Sequence, residues 1–181
     1  MRLRSFPNFL SGLRIVLSPI IPLLVVKKEY AFSFSLVVFL AITDFLDGFL
    51  ARKLKVESLL GKFLDPLGDK VFASFALFSY TFLSEYGLPK TIFFSLLLRD
   101  VSLIVGGLYL RRYNFVPEPS IFGKVTTFLV SLELILVAFL NLYYLRHLKI
   151  LIDFLSPITL FFIWISFLHY LYRGFRLLQN S

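Results

Sequence analysis

The 181-residue sequence contains no cysteine, and only one methionine, one tryptophan and two histidines. Without cysteine there are no disulfides, no thiolate metal sites and no cysteine nucleophile. Charge is also sparse: 17% of residues are Asp, Glu, Lys or Arg, against about 25% in a soluble domain. Acidic residues are the scarcer sign, 11 against 19 basic ones, so each acid in an apolar stretch needs a reason. No Ser/Pro/Gly-rich linker breaks the chain, and a single domain over residues 1–181 is expected.

What is present is apolar bulk. Hydrophobic residues make up 58% of the chain, 23 of them Phe, and the mean hydropathy is +0.83. Leu, Phe, Ile and Val fill whole runs without alternating with polar residues, which predicts an all-α integral membrane protein. Six spans are expected: Leu10–Val26, Ala31–Ala51, Lys62–Ser84, Thr91–Leu110, Phe122–Leu145 and Ile150–Leu171. Pro19 and Pro22 should bend the first. Met1–Phe9, with Arg2 and Arg4 among apolar residues, suits a short interfacial helix or a frayed terminus. A cleavable signal peptide does not fit, since no small-residue cleavage site follows.

The net charge of +8 is read as topology and attraction to anionic lipid, so no nucleic-acid partner is expected. With the N-terminus inside, eleven Lys and Arg residues fall on the inner side and five on the outer. The positive-inside rule then puts both termini in the cytoplasm. It also puts the end of span two and the start of span three at the cytoplasmic face of the inner membrane.

That junction carries the chemistry. Asp44, Asp47, Gly48, Ala51 and Arg52 close span two; Gly61, Asp65 and Asp69 open span three. At ~100° per residue, Asp44, Asp47, Gly48 and Ala51 share one helix face, as do Gly61, Asp65 and Asp69. A short basic turn makes the two helices neighbours, so their acidic faces can meet. Four carboxylates in or beside apolar helices are costly and repel one another unless protons or cations intervene. Hard oxygen ligands suit Mg²⁺ or Mn²⁺, with two ions expected. Gly48, Ala51 and Gly61 leave room on these faces, and Arg52 at the rim can meet phosphate bidentately. Together they describe a site for a nucleotide diphosphate beside a lipid-facing cleft.

The pattern Asp-x-x-Asp-Gly-x-x-Ala-Arg, eight residues, then Gly-x-x-x-Asp-x-x-x-Asp resembles the signature of the CDP-alcohol phosphotransferases at every defined position from Asp44 to Asp69. The resemblance implies that Asp44, Asp47 and Asp65 bind the metals. Asp69 would complete that site and act as general base. Gly48, Ala51, Arg52 and Gly61 would line the CDP pocket. It also implies a homodimer, and transfer of a phosphatidyl group from CDP-diacylglycerol to an alcohol with release of CMP.

Residues Pro7 to Arg14 and Leu64 to Lys70 are similar to both the phosphatidylglycerophosphate synthases and the cardiolipin synthases. Gly68 stands where both groups are expected to carry Ala. Arg99 and Lys124 are candidates for holding the phosphate of a small alcohol phosphate. Asp100, where Glu is expected in the former group, leans toward phosphatidylglycerol as acceptor. Glycerol-3-phosphate is nevertheless expected first, as the commoner role for such a chain.

Competing readings remain for single residues. Arg99 and Asp100 can neutralise each other, and Lys124 and Lys70 can snorkel. Arg14 can reach the site or the headgroups, and Glu133 has no assigned role. His147 and His169 lie apart from the acids, and Trp164, Tyr143 and Tyr144 suit the interface. A divalent-cation transporter would also need intramembrane carboxylates, but through the full membrane depth. Here they crowd at one face.

Overall fold

The computed structural model describes the backbone of residues 6–54, 59–110 and 120–179; within these, the side chains of 6–9, 44–54, 59–67, 108, 110, 177 and 178 are not described. Seven α-helices follow in order: α1 Phe6–Leu17, α2 Ile20–Val26, α3 Tyr30–Leu54, α4 Leu59–Phe78, α5 Lys90–Leu110, α6 Ile121–Tyr143 and α7 Arg146–Gln179. Among the described residues there is no strand. Among the described residues two helices, α6 and α7, are long and apolar enough to cross a membrane. Many large apolar side chains stay exposed, among them Phe32, Phe94, Phe128, Phe154 and Phe161. A water-soluble surface would bury such a set, whereas lipid accepts it.

The chain divides into two compact units. The first comprises Met1–Gly87 with Asn141–Tyr144, the second Leu88–Leu140 with Leu145–Ser181.

In the first unit α1 packs on α3 and α4, and α2 on α3, α4 and the turn that ends α4. Its core holds Ile21, Val25, Val37, Leu40, Leu77 and Tyr80. The expected first span is two helices. Ser18 and Pro19 separate α1 from α2, because proline has no N–H to continue the ladder. At the N-terminal side, Phe6–Phe9 simply extend α1, while Met1–Ser5 lie outside the described residues. Helix α2 stops where Lys28 adopts φ 58. The Lys28 and Glu29 amides then bond back to the carbonyls of Val25 and Leu24, the pattern of a left-handed helix cap.

The end of α4 widens into a π turn over Ser79–Leu83, with the Ser84 amide bonded to the Ser79 carbonyl at 3.1 Å. Just beyond, Gly87 is tightly enclosed: a Cβ there would lie 2.9 Å from the Thr81 carbonyl oxygen. Asn141 grips this corner with both ends of its amide. It accepts from the Tyr86 N–H at 3.0 Å and donates to the Tyr86 carbonyl at 2.8 Å. The Ser33 and Tyr80 hydroxyls meet at 2.8 Å.

In the second unit α5 packs on α7, and α6 is pinned to α7 by polar bonds. Thr126 donates to the Phe162 carbonyl at 3.0 Å, and Thr159 donates to Glu133 at 2.7 Å. Glu133 and Thr159 are fully buried. In an apolar surrounding such bonds fix helix register, since the alternative is an unsatisfied polar group in hydrocarbon. Glu133 therefore serves as a helix-to-helix fastening.

Candidate active site

The backbone carries both halves of the acidic motif on helix. Residues 44–54 continue α3 without a break, and 59–69 open α4. Asp44 and Asp47 are thus separated by about one turn, as are Asp65 and Asp69. Helices α3 and α4 are in contact. The side chains of Asp44, Asp47, Gly48, Ala51, Arg52, Gly61 and Asp65 lie outside the described residues. Among the described residues no group of three His, Cys, Asp or Glu assembles.

Asp69 is described. Its side chain is half-exposed, and its Oδ1 accepts a hydrogen bond from Nη1 of Arg14 on α1. Arg14 is fully buried. Of the two destinations open to Arg14 on sequence, the structure selects the acid and not the headgroups. The contact depends on Gly68. A Cβ there would sit 3.2 Å from the Ser11 carbonyl oxygen and 3.7 Å from Arg14 Nη1. The departure from the expected alanine thus has a physical counterpart: α1 and α4 approach closely enough that an added methyl group would have to push the Ser11 carbonyl aside by a few tenths of an ångström.

A second site lies wholly within the second unit. An open cavity of about 470 Å³ is lined by Arg99, Ser120, Gly123, Lys124, Thr127 and Tyr170, among others. Sequence reading found Arg99 and Lys124 but missed the rest. The missed signal was a polar and small stripe at Ser120, Gly123, Lys124 and Thr127, spaced i, i+3, i+4 and i+7, which is one helix face.

The cavity sits at the N-terminus of α6. Ser120 caps that helix, its hydroxyl accepting from the Gly123 amide at 3.0 Å in standard N-cap fashion. The Tyr170 hydroxyl accepts from the Ser120 amide at 3.0 Å. Gly123 again makes room: a Cβ would lie 3.2 Å from both Arg99 Nη2 and the Tyr170 hydroxyl. Arg99 is 3.6 Å from Asp100, a loose pair, and among the described residues its buried Nε has no hydrogen-bond partner. A helix N-terminus, a nearly buried guanidinium and an ammonium together favour an anion, phosphate above all.

An all-helical chain with apolar spans, a helix-borne carboxylate motif and a cationic cavity is built as a membrane enzyme for phosphorylated substrates. The CDP-alcohol phosphatidyltransferase family model matches residues 4–172, and the chain belongs to that family. It is 49% identical over 174 residues to a CDP-diacylglycerol–glycerol-3-phosphate 3-phosphatidyltransferase of Aquifex aeolicus, covering 96% of this chain and 98% of that one. A second enzyme of that description, from Pseudomonas fluorescens, is 41% identical over 76 residues, covering 40% of this chain and 39% of its own. The human cardiolipin synthase (CMP-forming) is 35% identical over 121 residues, 66% of this chain but 39% of the human protein.

Proposed function

We propose that this phosphatidyltransferase moves the phosphatidyl group of CDP-diacylglycerol to glycerol-3-phosphate, releasing CMP, in phospholipid biosynthesis. The observation that carries the acceptor is the end-to-end likeness to the Aquifex glycerol-3-phosphate enzyme. The cavity at the start of α6 agrees with it. Arg99, Lys124 and the helix N-terminus suit the double charge of a phosphate monoester better than the single charge of a phosphodiester such as phosphatidylglycerol. Asp100 is the residue that favours phosphatidylglycerol instead.

In this reading Asp44, Asp47, Asp65 and Asp69 hold two divalent cations, Mg²⁺ or Mn²⁺. The residues present fit such ions. They are hard oxygen donors, spaced one turn apart on two contacting helices, and the described carboxylate of Asp69 is half-exposed. When bound, the ions neutralise charge on the phosphoryl oxygens. Gly48, Ala51, Arg52 and Gly61 border the CDP moiety. Arg99 and Lys124 hold the acceptor phosphate. Asp69 takes the proton from the acceptor hydroxyl as its oxygen bonds to the lipid-bearing phosphorus, and the bond from that phosphorus to the CMP oxygen breaks.

The whole chain serves as one functional domain. Six spans, both termini on the cytoplasmic side of the inner membrane and a homodimer complete the proposal. Support comes from the balance of Lys and Arg between the two sides and from the family resemblance.

The test is an acceptor screen. Purified protein receives CDP-diacylglycerol with glycerol-3-phosphate, phosphatidylglycerol, inositol phosphate or serine, and CMP release is measured. Release is expected with glycerol-3-phosphate. Release with phosphatidylglycerol alone overturns the acceptor.

A further inference from the structure

We infer that Arg14, outside the acidic motif, is a positioning residue for the transfer reaction: its guanidinium orients the carboxylate of Asp69. The inference rests on the reading of Asp69 as general base given above.

Four observations lead there. Arg14 is completely buried on a helix that is otherwise mostly apolar. A guanidinium in that setting is tolerated only where it meets an anion. The anion it meets, Asp69, lies 55 residues away on α4, so the pair links two helices at the reacting group. Arg14 also belongs to a buried polar stripe with Ser11 and Ser18, spaced i, i+3 and i+7. Ser18 donates to the Arg14 carbonyl, which fastens the helix backbone that carries the guanidinium. Finally, Gly68 keeps the gap between α1 and α4 short enough for the contact.

The consequence for the chemistry is directional. The contact on Oδ1 orients the carboxylate of Asp69, the group that takes the proton in the proposed reaction. A fork-shaped donor fixes the carboxylate plane in a way an ammonium cannot. Arg14 also places a permanent positive charge beside Asp69, where it would compete with the proposed cations for that carboxylate. A purely structural anchor of α1 makes no such trade. Removing the anchor would weaken fold, metal binding and turnover together. Removing a positioning cation should lower turnover while metal binding holds or improves.

The experiment compares Arg14→Gln and Arg14→Lys with wild type as purified full-length chains. Readouts are monodispersity, thermal unfolding, Mn²⁺ affinity by electron paramagnetic resonance, and kcat and KM for CDP-diacylglycerol. For Arg14→Gln we expect a folded protein, Mn²⁺ affinity equal to wild type or about threefold tighter, and kcat lowered about 100-fold. Arg14→Lys should recover about tenfold of that loss, with KM for CDP-diacylglycerol little changed.

Loss of Mn²⁺ affinity in step with kcat overturns the proposal, as does a kcat within about threefold of wild type. If Arg14→Gln does not fold, Arg14→Lys decides alone. A folded lysine variant about tenfold slower than wild type supports the role, and one at wild-type speed overturns it. Asp69→Asn, measured alongside, separates the two readings. Near-normal turnover there removes the general base. An inactive Asp69→Asn beside a wild-type-like Arg14→Gln removes only the positioning role.

Discussion

Arg14 and Arg99 are the two buried arginines among the described residues, and they are handled in opposite ways. Arg14, in the first unit, is committed to Asp69 on another helix. Arg99, in the second, has among the described residues only its loosely placed neighbour Asp100 at 3.6 Å, and lines a cavity. Each stands beside a glycine: a Cβ at Gly123 would crowd the Arg99 guanidinium, whereas one at Gly68 would touch Arg14 at ordinary distance and crowd the Ser11 carbonyl. In the proposed mechanism, the buried cation that meets an acid on another helix holds the machinery in place. In the same proposal, the one that borders open space is kept for a ligand.

This contrast can be broken by experiment. The largest effect is expected at the acid that Arg14 serves. Asp69→Asn preserves an oxygen acceptor for the guanidinium but removes the base. Turnover should fall about 10³-fold, within the range for general-base loss, while Mn²⁺ still binds. Next comes Arg99→Gln. Losing a charge-assisted bond of about 1.5–3 kcal/mol should raise KM for glycerol-3-phosphate about 10- to 100-fold, with KM for CDP-diacylglycerol unchanged. A rise in both constants would mean that Arg99 is not a dedicated acceptor ligand.

The glycines give the smallest and most discriminating pair. At position 123 the added methyl meets the ends of side chains, which can yield. Gly123→Ala should raise the acceptor KM about fivefold, a cost of ~1 kcal/mol from overpacking, without loss of stability. At position 68 it meets a backbone carbonyl at 3.2 Å, which has less freedom to yield. Gly68→Ala should lower kcat about threefold, the helix propensity gained offsetting part of a ~1–3 kcal/mol packing cost. If both variants changed the same kinetic constant, the distinction between the two arginines would be lost.

Much of this was legible in sequence because it depends on local spacing. The acidic motif announces itself through turns of three and four residues. The helices α3, α5 and α6 begin and end within three residues of the expected spans. Local rules also found Pro19 as a disturbance, although the outcome is a break between α1 and α2 and not a bend. Partners distant in sequence were not legible. Nothing in the run from Leu10 to Val26 says which acid Arg14 meets, since periodicity gives a face and not the helix opposite. The π turn at Ser79–Leu83 has no proline or glycine to betray it. Tyr170 joins Ser120 across 50 residues, beyond any helical repeat. The stripes Ser11–Arg14–Ser18 and Ser120–Gly123–Lys124–Thr127 were there to be read; the first is buried, and the second lines the open cavity at the start of α6.

Helix α7 has 34 residues. At about 1.5 Å per residue it is ~51 Å long, whereas a hydrocarbon core is ~30 Å thick. It must therefore lean steeply or extend several turns past the lipid tails. Pro157, in its first half, lets the rod flex by withholding one backbone donor. Tyr170 rides on the last third of this rod and supports the start of α6, so the tilt that bilayer thickness imposes on α7 reaches the mouth of the phosphate cavity. In the proposed mechanism, acyl-chain length in the surrounding lipid thereby becomes a physical input to how firmly that cavity holds the acceptor phosphate.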